Sequence, residues 1–96
     1  MQLPQDNQVT LYVTTFCPYC VRAKSLLSRK GVEIVEINLD GDFSSRSELI
    51  RLAGGMRTVP QIFVGPVHVG GCDELYALDR AGKLEPLLDD QAVPRN

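Results

Sequence analysis

Val9-Thr10-Leu11-Tyr12-Val13-Thr14-Thr15 carries β-branched, aliphatic and aromatic side chains with no Gly, Pro or charge, the pattern of a strand. Downstream the period changes. Cys20, Ala23 and Leu27 fall on one helical face with Leu26 beside them, while Arg22, Ser25 and Arg29 lie opposite. Pro18 fits the first turn of that helix, where its missing N–H costs nothing, and Gly31 fits just past its end. Val32 to Leu39 predicts a second strand, closed by Asp40-Gly41-Asp42. Ser45 and Glu48, three apart ahead of Leu49, Ile50 and Leu52, have the spacing of a capping box and predict a helix running to Gly54-Gly55.

Pro60 to Val64 and Val67 to Val69 are short apolar runs separated by Gly65-Pro66, which predicts a hairpin. Gly70-Gly71 leads into a helix over Asp73 to Leu78, with acids in its first turn as the helix dipole favours. Gly82 ends it, and Leu84, Leu87 and Leu88 predict a last short helix. The order is β-α-β-α-β-β-α-α, an α/β chain. Its first two strands are parallel through a helical crossover, and the hairpin adds antiparallel strands to the same sheet. One domain over 1–96 is expected, with a core at about 9–88 and polar ends at Met1–Gln8 and Asp90–Asn96.

Composition narrows the function classes. The chain has 96 residues, 44% of them hydrophobic, so disorder is excluded. No apolar run approaches the roughly 20 residues of a spanning helix, so no membrane partner is expected. Ten basic and twelve acidic residues leave a net charge of −2, which gives nucleic acid no basic face to bind. Charge is uneven: Arg22 to Arg57 is locally basic and Asp73 to Asp90 acidic, a distribution that suits a small anionic ligand. Three cysteines are too few, and of the wrong parity, for a secreted disulfide scaffold. Met1–Gln8 has no Lys, Arg or apolar stretch and predicts no secretory leader. A reducing, cytoplasmic setting is expected, where Cys17-Pro18-Tyr19-Cys20 reads as catalytic or metal-binding.

A cysteine between a strand and a helix sits where unpaired N–H groups and the dipole favour an anionic sulfur. The thiolate is the nucleophile of thiol–disulfide exchange. Cys20 lies one turn inward on the apolar face, so Cys17 is expected to attack and Cys20 to resolve. Zinc is the rival: Cys17, Cys20, His68 and Cys72 make a Cys₃His set. Against it, nearly fifty residues separate the two halves, and His68 alternates with Val67 and Val69 as an outward strand residue does. No metal is therefore expected.

Two other stretches carry chemistry. In Thr58-Val59-Pro60 the proline biases Val59 toward extended backbone and opens a strand, which suits either a plain turn or a binding edge. In Gly70-Gly71-Cys72-Asp73 the glycines allow close backbone approach and the helix start can receive a carboxylate, or the segment is simply a loop with its cap.

Taken together, Thr15-Phe16-Cys17-Pro18-Tyr19-Cys20, Arg57-Thr58-Val59-Pro60-Gln61-Ile62-Phe63 and Gly70-Gly71-Cys72-Asp73-Glu74-Leu75 resemble the glutaredoxins, specifically the small bacterial dithiol type, over roughly Val9 to Leu88. The resemblance implies a thioredoxin fold, a four-stranded mixed sheet flanked by helices, with Pro60 cis. It implies a glutathione-disulfide oxidoreductase that acts on protein disulfides and glutathione mixed disulfides, with glutathione as co-substrate and no permanently bound cofactor. Cys17 would form the mixed disulfide with glutathione and Tyr19 would line the pocket. Thr58 and Val59, ahead of Pro60, would pair with the cysteinyl backbone of the tripeptide. Gly71, Cys72 and Asp73 would hold its γ-glutamyl end, and Arg57 would face the glycyl carboxylate. Thr14 stands where many relatives have a lysine, which leaves more of the thiolate stabilisation to the helix terminus. Expected partners are glutathione and disulfide-bearing or glutathionylated proteins, met by a monomer. An alternative is an iron–sulfur carrier bridged by Cys17 and glutathione, against which the bulky Pro18-Tyr19 pair argues.

Overall fold

The computed structural model describes residues 7–55 and 58–94. Its elements are β1 (Val9–Val13), α1 (Pro18–Arg29), β2 (Ile34–Asn38), α2 (Phe43–Leu52), β3 (Gln61–Val64), β4 (Val67–Gly70), α3 (Cys72–Arg80) and α4 (Leu84–Asp90). The sheet order is β2-β1-β3-β4, with β1 parallel to β2 and antiparallel to β3, and β3 antiparallel to β4. This is the mixed four-stranded sheet expected from the sequence.

Because β1 lies inside the sheet, all five of its residues are buried, and the two faces of its pleat feed two cores. Val9, Leu11 and Val13 meet Ile62 and Val64 of β3, Cys20, Ala23, Leu26 and Leu27 of α1, Leu75 of α3, and Leu84 and Leu88 of α4. Tyr12 and Phe63 face the other way, onto Leu39 and onto Leu49 of α2, with their rings edge-on at 5.7 Å. Leu27 is fully buried, and truncating a residue so enclosed to Ala costs about 2–5 kcal/mol.

The buried stripe of α1 is the one its periodicity predicts. The start of α2 is not. The expected box at Ser45 and Glu48 does not form: Asp42 is the N-cap, its carboxylate accepting from the Ser45 N–H at 2.9 Å, so the helix begins at Phe43 and Glu48 pairs with Arg51 instead. The Asp42 carboxylate has the reach to the third N–H, and Ser45 is buried inside the first turn. The strands are also shorter than expected: β1 stops at Val13 rather than Thr15, and β2 spans Ile34–Asn38 within the expected 32–39. Val93, in the stretch read as a polar tail, is buried against the α1 side of the sheet.

Lys30 at the end of α1 is 2.7 Å from Asp79 of α3, and the Tyr76 hydroxyl of α3 donates to the Arg22 carbonyl at 3.2 Å. These contacts set α3 alongside α1, so both helix starts open at the same end of the sheet. Gly70 joins β4 to α3 at φ +115°, where a Cβ would stand 2.9 Å from Glu74 Oε1; only glycine fits. Among the described residues no helix is long and apolar enough to cross a membrane.

Candidate active site

Cys17 is the N-cap of α1. Its backbone is extended, and its Sγ accepts from the Cys20 N–H at 3.2 Å. The following Pro18 occupies a position that needs no hydrogen bond, and the sulfur satisfies one of the orphan donors of the first turn, the Cys20 N–H. The Cys17 thiol also points to the Val59 carbonyl at 3.9 Å, which brings the first and second sequence motifs into contact. Cys17 is 8% exposed and Cys20 only 2%. Burial, reinforced by the hydrogen bond and charge of Cys17 and opposed by a backbone hydrogen bond from Thr14, pushes the Cys20 thiol up to about 12. Cys20 is therefore a thiol, not a thiolate, near neutral pH.

The third motif joins at the same end of the sheet. Gly71 caps α3, and since it has no side chain the cap is made from inside the helix: Glu74 accepts from the Gly71 N–H at 2.8 Å. Cys72 is buried, which raises its thiol pKa. Between the motifs runs a groove of about 680 Å³ lined by Tyr19, Thr58, Val59, Pro60, Gly71, Cys72 and Asp73, together with Arg46 and Glu74. Seven of the eight residues expected at a ligand site thus line one cleft, and the Val59–Pro60 bond is cis as expected. The eighth, Arg57, lies outside the described residues.

Arg46 and Glu74 carry no local signal for this role. Arg46 reaches the groove because α2 begins at Phe43, which only the tertiary packing decides. It brings a positive charge to the groove that Asp73 and the N-terminus of α3 also line, and the first N–H groups of a helix favour an anion.

Behind the groove a buried polar pair supports the Thr58 wall. Gln61 is fully buried, yet its Nε2 donates to the Thr58 carbonyl at 2.8 Å. Its Oε1 is 2.7 Å from His68 Nε2 of β4, and since Gln61 uses its nitrogen on Thr58, His68 must be the donor. The His68 ring stacks on Phe63 at 4.9 Å, and burial, partly opposed by Glu74, lowers its pKa. His68 is therefore not the plain outward residue its alternation suggested. Nor does it join the thiols: among the described residues no three His, Cys, Asp or Glu side chains are grouped to hold a metal ion. The Cys₃His set is not assembled.

Comparison with known proteins agrees across sequence and structure. The glutaredoxin family model matches residues 9–69. A glutaredoxin of Pseudomonas aeruginosa is 60% identical over 80 residues, covering 83% of this chain and 94% of the relative. Glutaredoxin 3 of Escherichia coli is 54% identical over 80 residues, covering 83% and 95%. Among solved structures, a buckwheat glutaredoxin in complex with glutathione superposes with TM-score 0.81 at 34% identity, over 91% of this chain and 81% of that one. A glutaredoxin from Brucella melitensis superposes with TM-score 0.76 at 50% identity, over 88% and 90%.

Proposed function

The chain belongs to the glutaredoxin family of thiol–disulfide oxidoreductases, and on that premise we propose that it depends on glutathione and reduces both glutathionylated proteins and protein disulfides. The observation that carries this reading is the groove itself. It begins at the nucleophile's own contact, the Val59 carbonyl, and ends at a helix N-terminus, with a cation on one wall.

Glutathione is an extended tripeptide with a carboxylate at each end. Its cysteinyl backbone suits the extended edge at Thr58 and Val59. Its γ-glutamyl carboxylate suits the start of α3 at Gly71 and Cys72, and its amine suits Asp73. Arg46, which lines the groove, suits the glycyl carboxylate, the group that the resemblance assigns to Arg57. The relative in complex with glutathione supports the same ligand class.

Cys17 thiolate attacks the glutathionyl sulfur of a mixed disulfide. The new S–S bond forms as the old one breaks, and the protein leaves as a thiolate that takes up a proton. A second glutathione thiolate then attacks that glutathionyl sulfur, releasing glutathione disulfide and Cys17 thiolate. One free glutathione is thus consumed per mixed disulfide and leaves joined to the glutathione the substrate brought, which requires a compartment where glutathione is kept reduced, as in the cytoplasm. Cys20, held as a thiol, does not compete for the first attack. With a protein disulfide, Cys17 becomes bonded to the substrate and the part of the Cys20 shift that came from Cys17 is removed; Cys20 then attacks Cys17 Sγ, releasing the substrate dithiol and leaving a Cys17–Cys20 disulfide that two glutathiones reduce as they become glutathione disulfide.

The test compares two variants on two substrates at fixed glutathione. Cys20→Ser is expected to keep or raise activity on the mixed disulfide of glutathione with 2-mercaptoethanol while slowing reduction of a protein disulfide. Cys17→Ser should abolish both. Equal loss of both reactions in Cys20→Ser would refute the one-thiol route.

A further inference from the structure

Phe16 is 97% exposed, Val21 61% and Tyr19 55%, and among the described residues only Val67 joins them as a large exposed hydrophobic. Three of these four lie within four positions of Cys17. Single exposed apolar residues are ordinary, whereas their concentration around one atom marks a contact surface. The groove accounts for Tyr19 but not for Phe16 or Val21, neither of which lines it. With Cys17 as the cap, Phe16 is the residue before it and Val21 the fourth of α1. Those two positions commonly close on one another as a hydrophobic staple. Here the staple is open, since a phenyl ring so exposed packs on almost nothing.

We propose that the open Phe16–Val21 pair is a docking site for protein substrates, taking an apolar side chain that neighbours the cysteine under attack. The inference rests on the thiol–disulfide reading of Cys17 and deepens it. A substrate sulfur must come within bonding distance of a Cys17 Sγ that is itself almost buried. A glutathionyl group lies in the groove and extends no further. A protein chain continues past the reacting sulfur and must cover the start of α1, where Phe16, Pro18 and Val21 offer apolar surface without charge. An apolar neighbour closes the staple from outside; a small polar one leaves it in water.

Two peptide disulfides, identical except for Leu or Ser beside the cysteine, provide the probe. Each is reduced in a single turnover by the pre-reduced protein, so no glutathione is present. The native protein should prefer the Leu peptide about tenfold, the rate equivalent of about 1.4 kcal/mol and a fraction of what burying a large apolar side chain yields. Phe16→Ser and Val21→Ser should each pull that preference toward one. Both should leave turnover of the glutathione–2-mercaptoethanol mixed disulfide within twofold, and Phe16→Ser should leave the urea midpoint unmoved. Equal rates for the two peptides in the native protein overturn the proposal, as do variants that slow every substrate alike. A native protein that prefers the Leu peptide yet fails to turn over the glutathione substrate supports the docking site and refutes only the glutathione reading.

Discussion

Gln61 offers the sharpest separation between holding the fold and presenting the groove. It has no exposed surface, and its amide ties the Thr58 carbonyl on one side to His68 on the other. In Gln61→Leu a side chain of similar volume fills the space and both ties are lost. An unpaired polar group costs about 1–3 kcal/mol when fully buried. Thr58 is exposed and His68 half-buried, so water recovers part of the loss, and the sum should lie near the low end for two groups, about 2 kcal/mol. In urea that lowers the midpoint by roughly 1 M for an m-value of about 2 kcal/mol/M. Gln61→Glu discriminates further. Its ionised carboxylate still accepts from His68 but sets a charged oxygen against the Thr58 carbonyl, so it releases the groove wall at the added cost of a buried charge. Both variants should raise KM for the glutathione–2-mercaptoethanol substrate about fivefold, the equivalent of one hydrogen bond of about 1 kcal/mol, with kcat changed less than twofold. The assay is steady-state turnover of that substrate at saturating glutathione, beside urea unfolding of each variant. If Gln61→Leu, which can make no bond to Thr58, keeps the native KM, that bond does not position the wall, whatever happens to stability.

Arg46→Gln should raise KM for the same substrate two- to fivefold, the reach of about 0.5–1 kcal/mol for a partly solvated charge pair, and the difference should shrink in high salt. An increase that is the same at every ionic strength would rule out a charge contact. The reduced protein should lose stability as pH rises from about 9 to about 12, because the folded state keeps the Cys20 proton over that window while the unfolded chain has lost it. Urea midpoints across that range should fall less steeply in Cys20→Ser, the remaining slope coming from Cys72 and Tyr12, whose pKa values burial also raises.

The parts of the site legible in the sequence are those whose constraint is local. Pro18 after Cys17 declares a helix start, and the spacing of Cys20, Ala23 and Leu27 declares which side of it is buried. Gly70-Gly71 declares a turn into α3. Where two local signals compete, the sequence misleads: Asp42 and Ser45 are both good caps three residues apart, and the choice falls to the packing of Leu49 against Tyr12 and Phe63. That choice decides where Arg46 points. The Gln61–His68 pair was hidden for another reason. An irregularity between Ile62 and Phe63 shifts the register so that Phe63 stands opposite His68, and no alternation count contains that shift. Val93, a single apolar residue among polar ones, is drawn inward only because α4 returns the chain to the core.

Cys17 stands where helix stability alone would favour serine, threonine, aspartate or asparagine. With Cys17 as the proposed nucleophile, sulfur at that position serves two ends at once, closing the first turn of α1 and reacting. An anionic sulfur is a strong acceptor for the Cys20 N–H and lies favourably in the helix dipole; the same sulfur in a disulfide is neutral and accepts weakly. Each turnover therefore takes the cap off its own helix and restores it when the thiolate is released. The helix is most firmly closed in the state that is ready to react, and the covalent intermediate is the state with the loosened end. The fold thereby favours discharging the intermediate over keeping it, through a helix cap.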